Sequence, residues 1–213
     1  MLEIVHLVES ARYHLSNLER LTSGQGTVPP GFEAGVDFEG VVLDSHWRVM
    51  ASLIEFEAFL SVTKRCLDRA WCCLGERLGG EASNVRTLAR AIHKLKRGKD
   101  QGVKKVLQEL EYFAVLERAW REWGRDAANL RNYVEHGAPV GGRAFGFTEF
   151  FGDSESVKLF VPDKIPEQKE NPGKRGFTFT KQLTIDVFSR DIMVRLDLTM
   201  IDILREGDAL KNI

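Results

Sequence analysis

Apolar residues recur at steps of three or four along most of this chain, which is the spacing of one face of an α-helix. A first helix is predicted over residues 2–21, followed by a loop rich in glycine and proline. A second and longer helix is predicted over residues 46–78, with Asp44 and Ser45 as candidate caps and a pair of glycines after it. A third is predicted from Ser83 onward. This pattern favours a helical core.

The most regular pattern in the chain lies further on. Every step between neighbouring apolar positions is three or four residues, and Gly137 followed by Pro139 is a usual end for a helix. We predict one long helix here, or two helices with a break near Gly124. The apolar positions are Val103, Val106, Leu110, Phe113, Leu116, Trp120, Trp123, Ala127, Leu130 and Val134.

After Pro139 the spacing changes from helical to alternating. Stretches such as RAFGFTEFF and GFTFT alternate aromatic or branched residues with polar ones, and a very polar stretch joins them. We interpret residues 140–182 as a small β-hairpin or sheet, and residues 183–205 as a final helix. The predicted fold class is mainly α, a helical bundle with a β insertion before the last helix. We expect one domain over residues 1–213, with residues 1–137 as its helical core.

Composition narrows the classes of function. The chain has 30 Lys and Arg against 31 Asp and Glu, a net charge of −1, so any attraction for nucleic acid must be local. The three cysteines lie in one predicted helix without metal-ligand spacing, so we expect reduced thiols and neither a metal nor another cofactor. The N-terminus lacks signal-peptide features, and no apolar run is long enough for a membrane span. These features predict a cytoplasmic protein.

Basic residues are concentrated in residues 86–105, RTLARAIHKLKRGKDQGVKK, where Asp100 is the single acid. Such a tract can contact phosphates and place an RNA strand on an otherwise nearly neutral protein. The alternative is an ordinary solvated helix face and loop, because charge runs of this kind are common. The candidate RNA-binding residues are Arg86, Arg90, Lys94, Lys96 and Arg97.

Candidate chemistry lies in LRNYVEHG, residues 130–137, at the end of the most regular predicted helix. At 100° per residue, Asn132 and His136 share a face, and Arg131 and His136 are roughly 140° apart. A long arginine side chain can swing towards the histidine, or the two can meet across a dimer. The C-terminal end of a helix favours a protonated imidazole. The alternative is an ordinary helix end, with an Arg131–Glu135 pair on a solvated face.

The six residues RNYVEH, late in a long helix of a mainly helical chain, resemble the Arg-x(4–6)-His signature of the HEPN superfamily. In that superfamily a polar residue, often asparagine, follows the arginine, as Asn132 does here. The helical layout extends the resemblance over about residues 46–137. The β segment is similar to an addition that some subfamilies carry. The resemblance implies a HEPN-like helical bundle.

Many HEPN proteins are metal-independent ribonucleases, often toxins or phage-defence effectors, and they act as dimers whose paired motifs share one cleft. The resemblance implies that Arg131 holds the scissile phosphate, that His136 is a general base or acid, and that Asn132 orients one of these groups or the phosphate. RNA supplies its own 2′-hydroxyl nucleophile, so no metal is needed when an acid/base and a fixed cation are present. The implied partners are tRNA or mRNA, a second copy of the chain, and an antitoxin or other defence protein.

The chain departs from one pattern of the superfamily. In HEPN toxins that a nucleotidyltransferase neutralises by AMPylation, a tyrosine commonly lies two residues after the histidine, where this chain has Ala138, and Tyr133 does not replace it. Arg86 and His93 form a second, looser match without a strong helix end. Two further hypotheses are a non-catalytic HEPN-like module that binds RNA, a nucleotide or a protein partner, and a plain dimeric helical protein in which RNYVEH is a helix end.

Overall fold

The structure, a computed structural model, describes residues 2–23, 38–97, 110–137, 149–150, 157–163 and 180–209. Most of these residues are helical, which confirms the predicted mainly α class. The elements are α1 (Leu2–Thr22), α2 (Phe38–Leu78), α3 (Gly80–Ser83), α4 (Leu88–Arg97), α5 (Glu111–Ala119), a π-helical turn (Trp120–Gly124), α6 (Arg125–Gly137), β1 (Glu149–Phe150), β2 (Val157–Lys158) and α7 (Ile185–Ala209). In these ranges, no helix combines the length and the apolar character that crossing a membrane requires.

Two helix starts differ from the sequence predictions. The second helix begins at Phe38, so Asp44 and Ser45 lie inside α2 instead of capping it. The backbone of Leu110 is extended, with φ −88° and ψ 111°, so α5 begins at Glu111. The regular apolar pattern therefore does not continue through Leu110 as one helix, and its first members, Val103 and Val106, lie outside the described residues.

The chain forms two compact units. The first comprises Met1–Glu9, Val62–Ala128 and Ile192–Ile213, and the second comprises Ser10–Ser61 and Asn129–Asp191. Helices α1, α2, α6 and α7 each contribute residues to both units. The single domain expected over the whole chain stays a prediction.

Aromatic side chains organise the core of the first unit. Trp71 is buried, and its Nε1 donates a hydrogen bond to the backbone oxygen of Val85 at 2.7 Å. The same ring meets Phe113 edge to face, with centroids 5.9 Å apart. The Tyr112 hydroxyl donates to the Ala70 oxygen at 3.1 Å. The side chains of Trp71 and Tyr112 thus bury their apolar surface while their polar atoms stay hydrogen-bonded.

The start of the third predicted helix also differs from the prediction, because the short α3 ends at Ser83 and α4 begins only at Leu88. A residue of α2 caps the start of α4. Asp68 of α2 accepts a hydrogen bond from the backbone N–H of Leu88 at 2.9 Å, which satisfies a donor at the start of α4. The other carboxylate oxygen pairs with Lys64 at 2.6 Å. Gly79, with φ +68°, ends α2 in the left-handed conformation that glycine adopts without strain. The start of α4 is thus stabilised by a carboxylate from α2 and by the adjacent Thr87, whose hydroxyl accepts a hydrogen bond from the backbone N–H of Arg90 at 3.4 Å.

The second unit has its own aromatic contact and ion pair. Phe56 of α2 and Phe188 of α7 meet edge to face at 6.2 Å. Nη2 of Arg190 lies 2.8 Å from a carboxylate oxygen of Glu19, which links α7 to α1 near the surface. Burial of the aromatic pair contributes more to stability than the ion pair, because an exposed ion pair contributes about 0–1 kcal/mol.

Only parts of the predicted β insertion, residues 140–182, are described. The strands β1 and β2 pair antiparallel over two residues each. An isolated antiparallel bridge between Phe160 and Thr184 ties the segment after β2 to the residue before α7. The other residues of the predicted insertion lie outside the described ranges, apart from 159–163 and 180–182.

The predicted break near Gly124 is a π-helical turn and not an interruption. A β-carbon at Gly124 would lie 2.6 Å from Cδ1 of Leu67 and 3.3 Å from Cε3 of Trp120. Real β-carbons do not approach other carbons as closely as 2.6 Å, so a larger residue would displace the buried Leu67 side chain. Glycine is required at this point because a side chain of α2 packs directly on the backbone of the turn.

Gly124→Ala is expected to destabilise the protein by about 1–3 kcal/mol, because the added methyl group overpacks the contact with Leu67. At an ordinary helical position the same change would stabilise the protein, since alanine is the better helix former. Urea denaturation measures the free energy of unfolding.

The matched background is Leu67→Ala, which removes the methyl group that obstructs the new β-carbon. Gly124→Ala should lower the free energy of unfolding by less in this background than in the wild type. The effects of the two substitutions on stability should therefore not be additive. An equal cost in both backgrounds would show that Leu67 is not the reason for the glycine.

Candidate active site

The helix α6 carries the three motif residues. It is continuous from Arg125 to Gly137, which is the predicted end of the helix. Arg131 and His136 are therefore separated along the axis by about 7.5 Å and around it by about 140°. The side chains of Arg131 and Asn132 are half-buried. The His136 side chain lies outside the described residues, so the structure places its backbone only.

The guanidinium of Arg131 is held by two hydrogen bonds. Its Nε donates to Oγ of Ser61 in α2 at 3.2 Å, and its Nη1 donates to Oδ1 of Asn132 at 3.3 Å. All three residues belong to the second unit. Arginine has five N–H donors in a planar fork, and bonds at both Nε and Nη1 restrict the rotation of that plane. The arrangement presents an oriented cation.

The contact with Arg131 also orients the side-chain amide of Asn132. A guanidinium has donors and no acceptor, so the atom facing it must be Oδ1 and not Nδ2. The Nδ2 group, with its two N–H donors, therefore points away from Nη1 of Arg131. Two adjacent residues thus supply hydrogen-bond donors and one positive charge, which are the groups that bind a phosphate or another anion.

Ser61 is not among the site residues that the sequence predicts. This serine lies within the apolar stretch of α2, between the buried residues Leu60 and Val62. A small polar residue in such a stretch indicates a satisfied polar contact. Its hydrogen-bond partner, Arg131, is 70 residues away in sequence. The spacing of neighbouring residues does not predict a contact between such distant segments.

A second polar cluster joins α1 to α2 in the same unit. Nδ1 of His14 lies 2.7 Å from one carboxylate oxygen of Glu55, and Asn17 donates to the other at 3.3 Å. The Tyr13 ring contacts the His14 ring edge to face at 5.4 Å. The carboxylate determines that Nδ1 carries a proton, which leaves Nε2 of a neutral imidazole as an acceptor. We assign this cluster to the packing of α1 against α2.

The basic residues of the predicted RNA-binding tract are placed by α4. Arg90 and Lys94 are exposed and four residues apart, so they share a face, while Leu88, Ala91 and Ile92 are buried on another. Arg86 is exposed and precedes the helix. The side chains of Lys96 and Arg97 lie outside the described residues.

The competing match of Arg86 with His93 differs in geometry from the motif of α6. Because α4 begins at Leu88, Arg86 lies before the helix that carries His93. The two residues therefore lack the shared helical geometry that Arg131 and His136 have in α6.

The cysteines lack the properties of a nucleophilic site. Cys66 is buried, and burial raises the pKa of its thiol to about 12. Burial also raises the pKa of Cys72 above its ordinary value. A thiolate is the reactive form, so burial makes these two thiols less reactive than an exposed cysteine, and Cys66 the less reactive of the two. In the described part of the chain, no three or more His, Cys, Asp and Glu side chains are grouped so as to hold a metal ion.

Cys66 is therefore expected to resist alkylation by iodoacetamide in the native protein at pH 8, because its thiol is both buried and protonated. Cys72 and Cys73 are half-buried and should be modified first. Peptide mass spectrometry after timed labelling measures each site, and labelling in urea is the control in which all three react. Labelling of Cys66 as fast as that of Cys73 in the folded protein would contradict the buried position.

The chain matches no family model, no curated protein and no solved structure. Its function is therefore inferred from the chemistry of its own residues.

Proposed function

We propose that this chain is a metal-independent endoribonuclease of the HEPN type, with a toxin or phage-defence role in the cytoplasm. The observation that carries the proposal is the orientation of Arg131 by Ser61 and Asn132, in the helix that also carries His136. A guanidinium fixed before the substrate arrives stabilises developing charge without the cost of reorganisation.

Each motif residue has a role in the proposed reaction. The 2′-hydroxyl of the ribose loses its proton to a base and attacks the neighbouring phosphorus. The bond from phosphorus to the 5′-oxygen breaks, and that oxygen takes up a proton. His136 serves as base or acid, because imidazole exchanges protons near neutral pH. Arg131 holds the non-bridging oxygens, and the Nδ2 group of Asn132 is a further donor to the phosphate. The products carry a 2′,3′-cyclic phosphate and a 5′-hydroxyl.

A homodimer is part of the proposal. The positions of Arg131 and His136 lie about 140° apart around α6, so they belong to different sectors of the helix. In a twofold dimer, the arginine of one copy and the histidine of the other can flank one phosphodiester. A HEPN-like bundle with a β insertion is the fold that we propose to bring the two copies together.

A non-catalytic HEPN-like module that binds RNA is the second candidate. It is favoured by the exposed basic face of α4, which includes Arg90 and Lys94 and does not depend on the motif. Phosphate contacts of this kind supply affinity without chemistry. The two candidates differ in whether RNA is cut or only bound.

His136→Ala and Arg131→Ala are each expected to reduce RNA cleavage about 100-fold or more, because one removes the proton carrier and the other the cation. Cleavage of tRNA and mRNA is followed on gels with EDTA present, and RNA ends are mapped by sequencing. Induction in cells should arrest growth with the wild type only.

The matched controls are Arg125→Ala, an exposed arginine in the same helix, and His93→Ala, an exposed histidine in α4. Both should cut RNA at the wild-type rate. If wild type and His136→Ala are equally harmless and neither cuts RNA, the ribonuclease proposal is wrong.

Charge reversal of Lys94, Lys96 and Arg97 to glutamate should weaken RNA binding and make it less dependent on salt. Each lost phosphate contact removes about 0.7 from the slope of log affinity against log salt on single-stranded RNA. Fluorescence anisotropy with a labelled oligonucleotide at several salt concentrations measures both quantities.

The control carries the same change of net charge on other exposed arginines, Arg20, Arg65 and Arg205. Equal weakening by the two triple variants would mean that only the net charge matters. An unchanged salt slope in the first variant would discard α4 as an RNA-binding surface.

A further inference from the structure

We propose that Ser61 is a positioning residue of the candidate active site, where its hydroxyl holds the guanidinium of Arg131 in the orientation that engages the scissile phosphate. This inference rests on the proposed ribonuclease function and extends it to a residue outside the motif. Its basis is the 3.2 Å hydrogen bond from Nε of Arg131 to Oγ of Ser61.

The bond acts on the part of the arginine that determines its orientation. Nε is the atom at which the planar guanidinium joins the flexible side chain, so a bond there limits rotation of the whole plane. The second bond, from Nη1 to Asn132, lies at another corner of the same plane. These two attachment points lie on two different helices, and together they restrict the orientation of the plane.

A serine suits this role because its hydroxyl is neutral. A carboxylate at the same place would also bind the guanidinium, but it would add negative charge beside an anionic substrate. The Ser61 hydroxyl accepts the Nε–H and contributes no charge of its own. It therefore orients Arg131 without opposing the binding of a phosphate.

The position of Ser61 also makes the bond a preorganised one. The neighbouring residues Leu60 and Val62 are buried, so the backbone of α2 is anchored at this point. Ser61 is half-buried and acts from a fixed helix on a long side chain that would otherwise sample many rotamers. A cation ordered before binding contributes more to catalysis than one that must be ordered during the reaction.

The test compares Ser61→Ala, Ser61→Thr and Ser61→Asp by steady-state cleavage of an RNA oligonucleotide in EDTA. Ser61→Ala should lower kcat about tenfold and change KM less than about threefold, because the charge that attracts RNA is retained and only its orientation is lost. Ser61→Thr retains a hydroxyl and should restore kcat. Ser61→Asp should raise KM, because its carboxylate repels the phosphate.

Ser52→Ala is the matched control. Ser52 lies in the same helix and is buried, and its hydroxyl has no hydrogen-bond partner among the described residues. The same chemical change there should leave kcat and KM at wild-type values. In an Arg131→Ala background, Ser61→Ala should cause no further loss of kcat, because the group that it positions is absent.

The outcomes separate this inference from the proposed function. If wild type cuts RNA, Arg131→Ala does not, and Ser61→Ala keeps full kcat, the positioning role is wrong and the ribonuclease proposal stands. If the loss in Ser61→Ala is not restored by threonine and follows a lowered melting temperature, Ser61 is structural and the inference is overturned. If wild type and Arg131→Ala are equally inactive, the ribonuclease proposal fails, and the role of Ser61 fails with it.

Discussion

The contact between Arg131 and Ser61 joins the helix that carries the motif to the longest helix of the described chain, and the functional interpretation depends on it. That hydrogen bond ties the guanidinium of Arg131 to a residue 70 positions away in sequence. With it, the guanidinium has a defined plane, and Asn132 acquires a defined amide orientation. Chemistry on a phosphodiester requires donors in fixed positions, so orientation and not charge alone distinguishes this arginine.

The π-helical turn ahead of α6 affects the same site through helix phase. A π-helical turn accommodates one residue more than an α-helical turn, so every following residue is rotated by roughly 100° from its place in an unbroken α-helix. This turn comprises Trp120–Gly124. The close contact of Gly124 with Leu67, within the first unit, stabilises it.

The basic face of α4 shows how a nearly neutral chain can present local positive charge. Leu88, Ala91 and Ile92 are buried, and Arg90 and Lys94 remain on the solvent side. The start of α4 is held by Asp68, whose carboxylate caps the helix from α2. Asp68 thus helps to place Arg90 and Lys94. These two residues lie on one face because α4 is amphipathic and its first residue is held in place.

The sequence by itself determined the helical class, the end of α6 at Gly137 and the spacing of Arg131, Asn132 and His136, because these depend on periodicity and on the residues that stop a helix. It did not reveal the extended Leu110 or the π-helical turn, since an apolar step of three or four residues fits either side of such a local change. Only the tertiary structure decided that Ser61 meets Arg131 and that Asp68 caps α4. Contacts between distant segments arise from the packing of whole helices, and no local pattern encodes which two side chains that packing brings together.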